Sequence, residues 1–414
     1  MTNINIHELN AWAKEHIIDD NMFDDDGCLI TENKSDFRTT GIIAEILEQS
    51  WDSFYSKYKE QLDKIRPNCN KEINKIIKCH NHDLGATVYY CEEDNEVYFC
   101  HHTCKGKLCS HCGIKSQKTK VLNIMSKCIN TNHRHITFTI PEDLRIWFRD
   151  DLYITNILYE SVCDTIYSIV NGKVSLKRKY DLKYMPGFFS FLHTFGRDLK
   201  FNPHIHVIFC EGLLDRNNNF KKINYLNYDA LSKRFMKILL DKMETFFGKD
   251  KFYQTKRNMY KKYPNGFYVN NKLEDNGITF HNYKDLISYV TRYCSRPAIA
   301  ESRITSYDDE NVNWYYIDHK DNKKYNVSEK IFDFIKRILM HLLPSNFKTI
   351  RYYGFYNKND KINEEIFNKL ISSEQKEHLA KNLKWNTLCL LSFKRIPIQC
   401  PKCNNLMKAL YTVT

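Results

Sequence analysis

At 414 residues with 42% hydrophobic side chains, the chain has enough apolar surface for two or three cored domains. It is neither disordered nor membrane-spanning, since no apolar stretch reaches the roughly 20 residues a bilayer requires. A formal net charge of +12, from 62 Lys+Arg against 50 Asp+Glu, favours an anionic partner, and nucleic acid is the commonest.

The N-terminus, MTNINIHELNAW, lacks the basic start and apolar run of a secretion signal. The 15 cysteines are therefore expected to be reduced in the cytoplasm, where clustered thiols read as metal ligands rather than disulfides. In chain order, residues 1–75 read as polar and helix-rich, with Ile43, Ile46, Leu47 and Trp51 at helical spacing. Residues 79–113 are rich in Cys and His and hold little else that is apolar, so they read as a metal-stapled module. A helix over 114–130 leads out of it. Arg134–Ile140 alternates like a half-buried strand and Pro141 ends it. A helical region across 142–170 follows. Gly187–Phe195 and His204–Phe209 read as strands around a turn at 196–202, hence as an antiparallel hairpin. An amphipathic helix is expected over 228–247, short strands at 267–269 and 278–280, and helices over 283–295 and 328–342. The tail carries Cys400-Pro-Lys-Cys403. These signals divide the chain into an N-terminal helical region (1–78), a zinc-binding module with its linking helix (79–130), a catalytic domain (131–310) and a C-terminal helical region (311–414).

Three His-x-His pairs occur, His80/His82, His133/His135 and His204/His206, and three Tyr-x3-Tyr pairs, Tyr180/Tyr184, Tyr289/Tyr293 and Tyr352/Tyr356. Chance supplies roughly 0.6 and roughly 2 such matches at this composition, so context must select among them. An isolated pair of either kind is more often core packing. His204 and His206 enter an apolar strand after Pro203, and positions i and i+2 of a strand face one side. Both imidazoles can then hold one divalent cation, Mg2+ or Mn2+. His193 lies on the preceding strand, and a hairpin folding near residue 199 sets it opposite the pair as a third ligand.

Tyr289 and Tyr293 lie one turn apart on a helix, with Cβ atoms about 5–6 Å apart, and can address one phosphate in succession. A phenol titrates near 10, so about one in a thousand is ionised at pH 7. A bound cation that polarises the phosphoryl oxygens offsets this. The product is a 5′-phosphotyrosine link and a free 3′-hydroxyl, which keeps the bond energy for rejoining. Arg292 and Arg296 interleave this helix and Arg303 follows shortly after, as phosphate or base-stacking contacts.

Cys100, Cys104, Cys109 and Cys112, with Cys79, His82 and Cys91 upstream, form a dense ligand set. Tetrahedral zinc takes four. Seven candidates leave open which four bind and whether a second ion shares them. Lys105 and Lys107 sit within the module as DNA-gripping charges. Cys400/Cys403 is a half-site with no evident partner pair.

The motifs His-Thr-Cys-Lys-Gly-Lys-Leu-Cys-Ser-His-Cys-Gly (102–113), Arg-His-Ile-Thr-Phe-Thr-Ile-Pro (134–141), His193-Thr-Phe-Gly, Pro-His-Ile-His (203–206), Tyr-Val-Thr-Arg-Tyr-Cys-Ser-Arg-Pro-Ala-Ile-Ala-Glu-Ser-Arg (289–303) and Ile-Arg-Tyr-Tyr-Gly (350–354) come in an order and spacing that resemble the IS91 family of transposases. That family belongs to the HUH endonucleases, with rolling-circle initiators, relaxases and Helitrons. The resemblance implies an α+β fold: an HUH nuclease domain with a central antiparallel sheet flanked by helices, plus an N-terminal helical and zinc-binding region. It implies that His204 and His206, with His193, hold the Mg2+ or Mn2+ and that Tyr289 and Tyr293 are the nucleophiles. It adds Arg351 as a DNA contact and structural Zn2+ as a second metal. Relatives often carry Cys-x2-Cys where this chain has Cys91-Glu-Glu-Asp94, and Cys100 is a candidate for the missing ligand.

The activity implied is nicking and rejoining of single-stranded DNA in rolling-circle-like transposition, in the prokaryotic cytoplasm at the nucleoid. The implied partners are element termini and target DNA, a host helicase, since no P-loop motif is present, and a second copy of the chain; no membrane partner is expected. Two other readings use the same residues: a replication initiator or relaxase of the same chemistry, and a non-catalytic zinc protein that binds nucleic acid.

Overall fold

The structure is a computed structural model and describes residues 41–79, 84–106, 108–125, 127–129, 131–172, 182–223, 225–270, 298–318, 321–344, 347–357, 389, 396 and 398–413. It is an α+β fold with antiparallel sheets. The expected strand at 278–280 and the helix at 283–295 lie outside the described residues.

Helix α1 (Ile42–Ile65) buries Ile43, Ile46, Leu47, Trp51 and Phe54, a stripe at intervals of three and four. A second helix, α2 (Cys69–Ile77), folds back on it. Strands β1 (Ala86–Cys91) and β2 (Glu96–His101) form a hairpin in register from Ala86↔His101 to Cys91↔Glu96. The Cys/His-rich segment is thus more than a metal staple. Its Val and Tyr residues alternate well enough to build a sheet. Helix α3 (Ser110–Met125) starts inside that segment and ends before the expected residue 130.

The central sheet follows. Strand β3 (His133–Thr139) leads to α4 (Glu142–Arg149), a 3-10 turn (Leu152–Ile154) and α5 (Thr155–Asn171), so the region expected as helical is broken in two. Strands β4 (Tyr184–Phe195) and β5 (Phe201–Asp215) form the long hairpin, and β6 (Phe220–Lys222) pairs with the far end of β5. Helix α6 (Tyr228–Phe247) begins at the Asn227 cap, whose side-chain oxygen accepts from the Ala230 amide at 2.9 Å. Helix α7 (Lys249–Lys262) and the short β7 (Val269–Asn270) come next.

Beyond residue 297, β8 (Ile304–Tyr307), β9 (Asn311–Ile317) and β10 (Lys324–Lys330) make a separate sheet. Helix α8 (Ile331–Leu339) follows. The expected start of this helix at 328 is corrected by β10, whose pairing to β9 runs unbroken from Lys324↔Ile317 to Lys330↔Asn311. Strand β11 (Ile350–Gly354) then returns to the edge of the central sheet, and β12 (Lys408–Val413) joins the first hairpin.

The central sheet runs β11-β4-β5-β3-β7, with β6 beside β5. Its one face, Ile136, Phe138, Phe188, Leu192, Ile205, Val207 and Phe209, packs under α4, α5 and α6 as the largest core. The opposite face carries Phe189, Phe191, Ile208 and Cys210 in a smaller cluster with Ile124 and Tyr356. A second large core joins α1 and α2 to β8, β9 and α8. Among the described residues, no helix is long and apolar enough to cross a membrane.

Candidate functional site

The alternation of β5 sends Ile205 and Val207 into the helix-covered core and leaves His204 and His206 on the other face. Pairing between β4 and β5 sets His193 directly opposite His204 and Phe191 opposite His206. The ligand nitrogens of His193, His204 and His206 all lie within 4.8 Å of one another. The ring centroids are 5.4 Å apart for His193 and His204, 4.5 Å for His193 and His206, and 4.8 Å for His204 and His206. His206 is buried, whereas His193 and His204 are half-buried. The hairpin turn does place His193 against the pair, as its spacing predicts.

Contacts behind the rings orient them. His204 Nδ1 lies 2.6 Å from the Asn202 carbonyl oxygen. A carbonyl only accepts, so Nδ1 carries the proton and Nε2 is the atom left able to hold a cation. His206 Nδ1 lies 2.8 Å from His135 Nε2 and 3.2 Å from Thr137 Oγ1. The His206 and His135 rings stack at 5.0 Å. With His206 Nδ1 donating to His135, Nε2 would face a cation, the orientation that outer partners give metal-bound histidines. Three imidazoles converging from the adjacent strands β4 and β5 fit a divalent cation. The sequence singles out His135 only as half of a His-x-His pair. The signal was the period of β3, in which His133, His135 and Thr137 share the face opposite Ile136 and Phe138.

Tyr289, Tyr293, Arg292, Arg296 and Lys107 lie outside the described residues, as do His80, His82 and Tyr180. Of the remaining tyrosine pair, Tyr356 is fully buried, and its hydroxyl lies 2.7 Å from His133 Nε2. Burial pushes its pKa well up, so it is packing rather than a nucleophile.

Two arginines expected at DNA also make contacts within the protein. Arg303 Nε donates to the Tyr315 carbonyl at 2.8 Å and the guanidinium lies over Trp314 at 5.6 Å. Desolvation lowers its pKa. Arg351 stacks on Tyr159 at 3.9 Å and donates to the Asn156 side chain. Lys105 is exposed.

Four cysteines converge between α2 and α3: Cys79, Cys104, Cys109 and Cys112. Their sulfurs are 3.7 Å apart for Cys79 and Cys112, 3.5 Å for Cys104 and Cys112, and 3.7 Å for Cys79 and Cys109. A disulfide needs about 2.05 Å. The edges of a tetrahedral zinc–thiolate centre, with Zn–S about 2.3 Å, are about 3.8 Å. The Cys104 amide donates to Cys79 Sγ at 3.3 Å and the Gly106 amide to Cys104 Sγ at 3.2 Å, both of which favour thiolates. Hydrogen bonds from Cys104 and Cys109 bring Cys112 down to about 7, while Cys104, which shares protons with Cys109, Cys112 and Cys79, is pushed up. Four thiols this close ionise together only around a cation, and the donor set fits zinc.

Two of the expected ligands, Cys91 and Cys100, lie outside this group. Cys91 ends β1 in a different group, with Asp94, Cys400 and Cys403. Cys100 belongs to neither group among the described residues; it pairs with Thr87, at the other end of the hairpin from the Cys91↔Glu96 pair.

Comparison with known proteins agrees with this geometry. A family model described as "Transposase zinc-binding domain" matches residues 46–140, and one described as "Putative transposase" matches residues 187–363. The chain is 24% identical over 311 residues to "Putative transposase y4qJ" of Sinorhizobium fredii (strain NBRC 101917 / NGR234), covering 72% of this chain and 77% of the relative. It is 23% identical over 300 residues to "Transposase for insertion sequence element IS801" of Pseudomonas savastanoi pv. phaseolicola, covering 68% and 69%. No solved structure matches.

Proposed function

Because the chain belongs to the IS91 family of transposases, we propose that it moves DNA as a metal-dependent HUH nuclease, nicking and rejoining single strands through a 5′-phosphotyrosine intermediate. The observation that carries this reading is the histidine trio on β4 and β5, with His135 and Asn202 behind it. Residues 131–310 supply the nuclease unit in this proposal, and element termini and target DNA are its substrates.

His193, His204 and His206 would hold Mg2+ or Mn2+ as three neutral ligands on one side, which leaves the cation's charge undiminished. Bound there, the cation supplies charge stabilisation at the scissile phosphate. Tyr289 or Tyr293 attacks through its phenolic oxygen. An O–P bond forms, the P–O3′ bond breaks, and the phenolic proton passes through solvent to the departing 3′ oxygen. Rejoining runs the exchange backwards: a 3′-hydroxyl attacks the phosphotyrosine and restores the phenol. The second tyrosine allows two strands to be held at once. Lys105, Lys107, Arg292 and Arg296 supply backbone charge along the bound strand.

The test uses labelled single strands carrying the ends of the element, with Mn2+ or Mg2+ and with EDTA. The expected result is a nick that needs the metal and falls at least about a hundredfold in His204→Ala. Cleavage that persists in EDTA, or that His204→Ala leaves intact, contradicts the proposal.

A further inference from the structure

The second cysteine group lies away from both sites above. Cys91 ends β1 and Asp94 sits in the β1–β2 turn, while Cys400 and Cys403 flank the turn that leads into β12. All four ligand atoms lie within 4.8 Å of one another. Cys91 Sγ is 3.4 Å from Cys403 Sγ and 3.6 Å from Asp94 Oδ2, and Cys400 Sγ is 2.7 Å from the same carboxylate oxygen. A disulfide is excluded by distance. Tetrahedral zinc sets S–S edges of about 3.8 Å and S–O edges of about 3.6 Å. Two of these three edges are near those values and the Cys400–Asp94 edge is compressed.

The two halves of the group are built alike. Asn95 follows Asp94 with φ 53°, and Asn404 follows Cys403 with φ 61°. A left-handed residue just after the second ligand reverses the chain tightly, so that positions i and i+3 present their side chains to one point. The Lys402 amide donates to Cys400 Sγ at 3.4 Å, a bond that favours the thiolate. Cys91 and Cys400 are buried, at 2% and 0% exposure.

Strand β12 gives the group a purpose. It pairs with β1 from Ala86↔Val413 to Tyr90↔Lys408. Yet its Leu410 and Tyr411 are 53% and 59% exposed, so apolar burial does little to hold it. Asp94 and Cys400 stand 306 residues apart, and a clip across so long a loop removes more unfolded-state entropy than a local one.

We propose that Cys91, Asp94, Cys400 and Cys403 bind a second zinc ion, separate from the one at Cys79, Cys104, Cys109 and Cys112, and that it fastens the C-terminal strand to the β1–β2 hairpin. Binding releases the three thiol protons and takes up an already ionised carboxylate. Three thiolates and one carboxylate close the tetrahedron and leave no open position, as in a structural site. The inference does not rest on the nuclease chemistry, and its readout is metal content.

The full chain, purified without chelator, is assayed for zinc by mass spectrometry against protein concentration. The expected result is two zinc ions in the native chain and one in Cys400→Ser/Cys403→Ser. A single ion in the native chain, or two in the double variant, overturns the proposal. Asp94→Cys guards against a variant that merely misfolds. It is expected to keep two ions and release the second to a chelator at least about tenfold more slowly, because thiolate is the softer ligand. Unchanged release from Asp94→Cys also overturns the proposed donor set.

Discussion

His206 is buried, and its Nδ1 is held by both His135 and Thr137. An imidazole free to rotate would lose orientation each time a cation left. Stacked on His135, this one does not. His135 is therefore a positioning residue. Replacing it with Ala is expected to raise the Mn2+ concentration needed for half-maximal nicking by about 10–100-fold, with cleavage at saturating Mn2+ largely kept. A metal titration checks this, and an unchanged Mn2+ midpoint with a lower maximal rate would show that His135 acts elsewhere. The meeting of His193, His204 and His206 was legible in the sequence because strand periodicity and a short turn fix which side chains meet. His135 was not, because its partner lies on a strand about seventy residues away and only the β3–β5 register brings them together.

At the scale of elements, Gly354 shows why β11 can complete the central sheet. It ends β11 with φ 60°, and a Cβ built there would fall 1.5 Å from the Pro186 carbonyl oxygen. That oxygen accepts from the Phe355 amide. Gly354→Ala is expected to destabilise the protein by on the order of 2–4 kcal/mol. Urea unfolding checks this, and a loss below about 1 kcal/mol would mean that the edge strand shifts without cost. Elements with strong local periodicity, such as α6, were readable almost to the residue. The β8–β10 sheet was not, because β10 is polar and its pairing, rather than its pattern, stops α8 from starting at 328. The partner of Cys400 and Cys403 was hidden for a related reason. Ligand spacing reveals local pairs, and this group closes only when β12 crosses to β1.

At the scale of the whole molecule, the cores are tied together by buried polar groups. His341 sits at the end of α8, with Nδ1 3.2 Å from Thr194 Oγ1 and Nε2 3.2 Å from the Leu199 carbonyl oxygen. It thus braces the hairpin that carries His193 and His204 against the second large core. Burial lowers the pKa of His341 and of His133 to about 4. Both stay neutral when folded, and both gain a proton near 6.5 when unfolded. The unfolded state therefore binds more protons between about 6.5 and 4, and stability is full above that window and falls as pH drops through it. Urea midpoints are expected to decline from pH 7 to pH 4.5, with a shallower slope in His341→Gln. An identical slope in that variant would assign the loss to other groups.

In the proposed mechanism the histidine trio serves a tyrosine that becomes covalently attached to DNA. The most direct measurement is mass spectrometry of the protein after incubation with a terminal single strand and Mn2+, followed by denaturation, nuclease trimming and proteolysis. The predicted result is a nucleotide phosphate linked to Tyr289 or Tyr293, absent from Tyr289→Phe/Tyr293→Phe and from His204→Ala. A nicked strand with no linked tyrosine, or a link at any other residue, would contradict it.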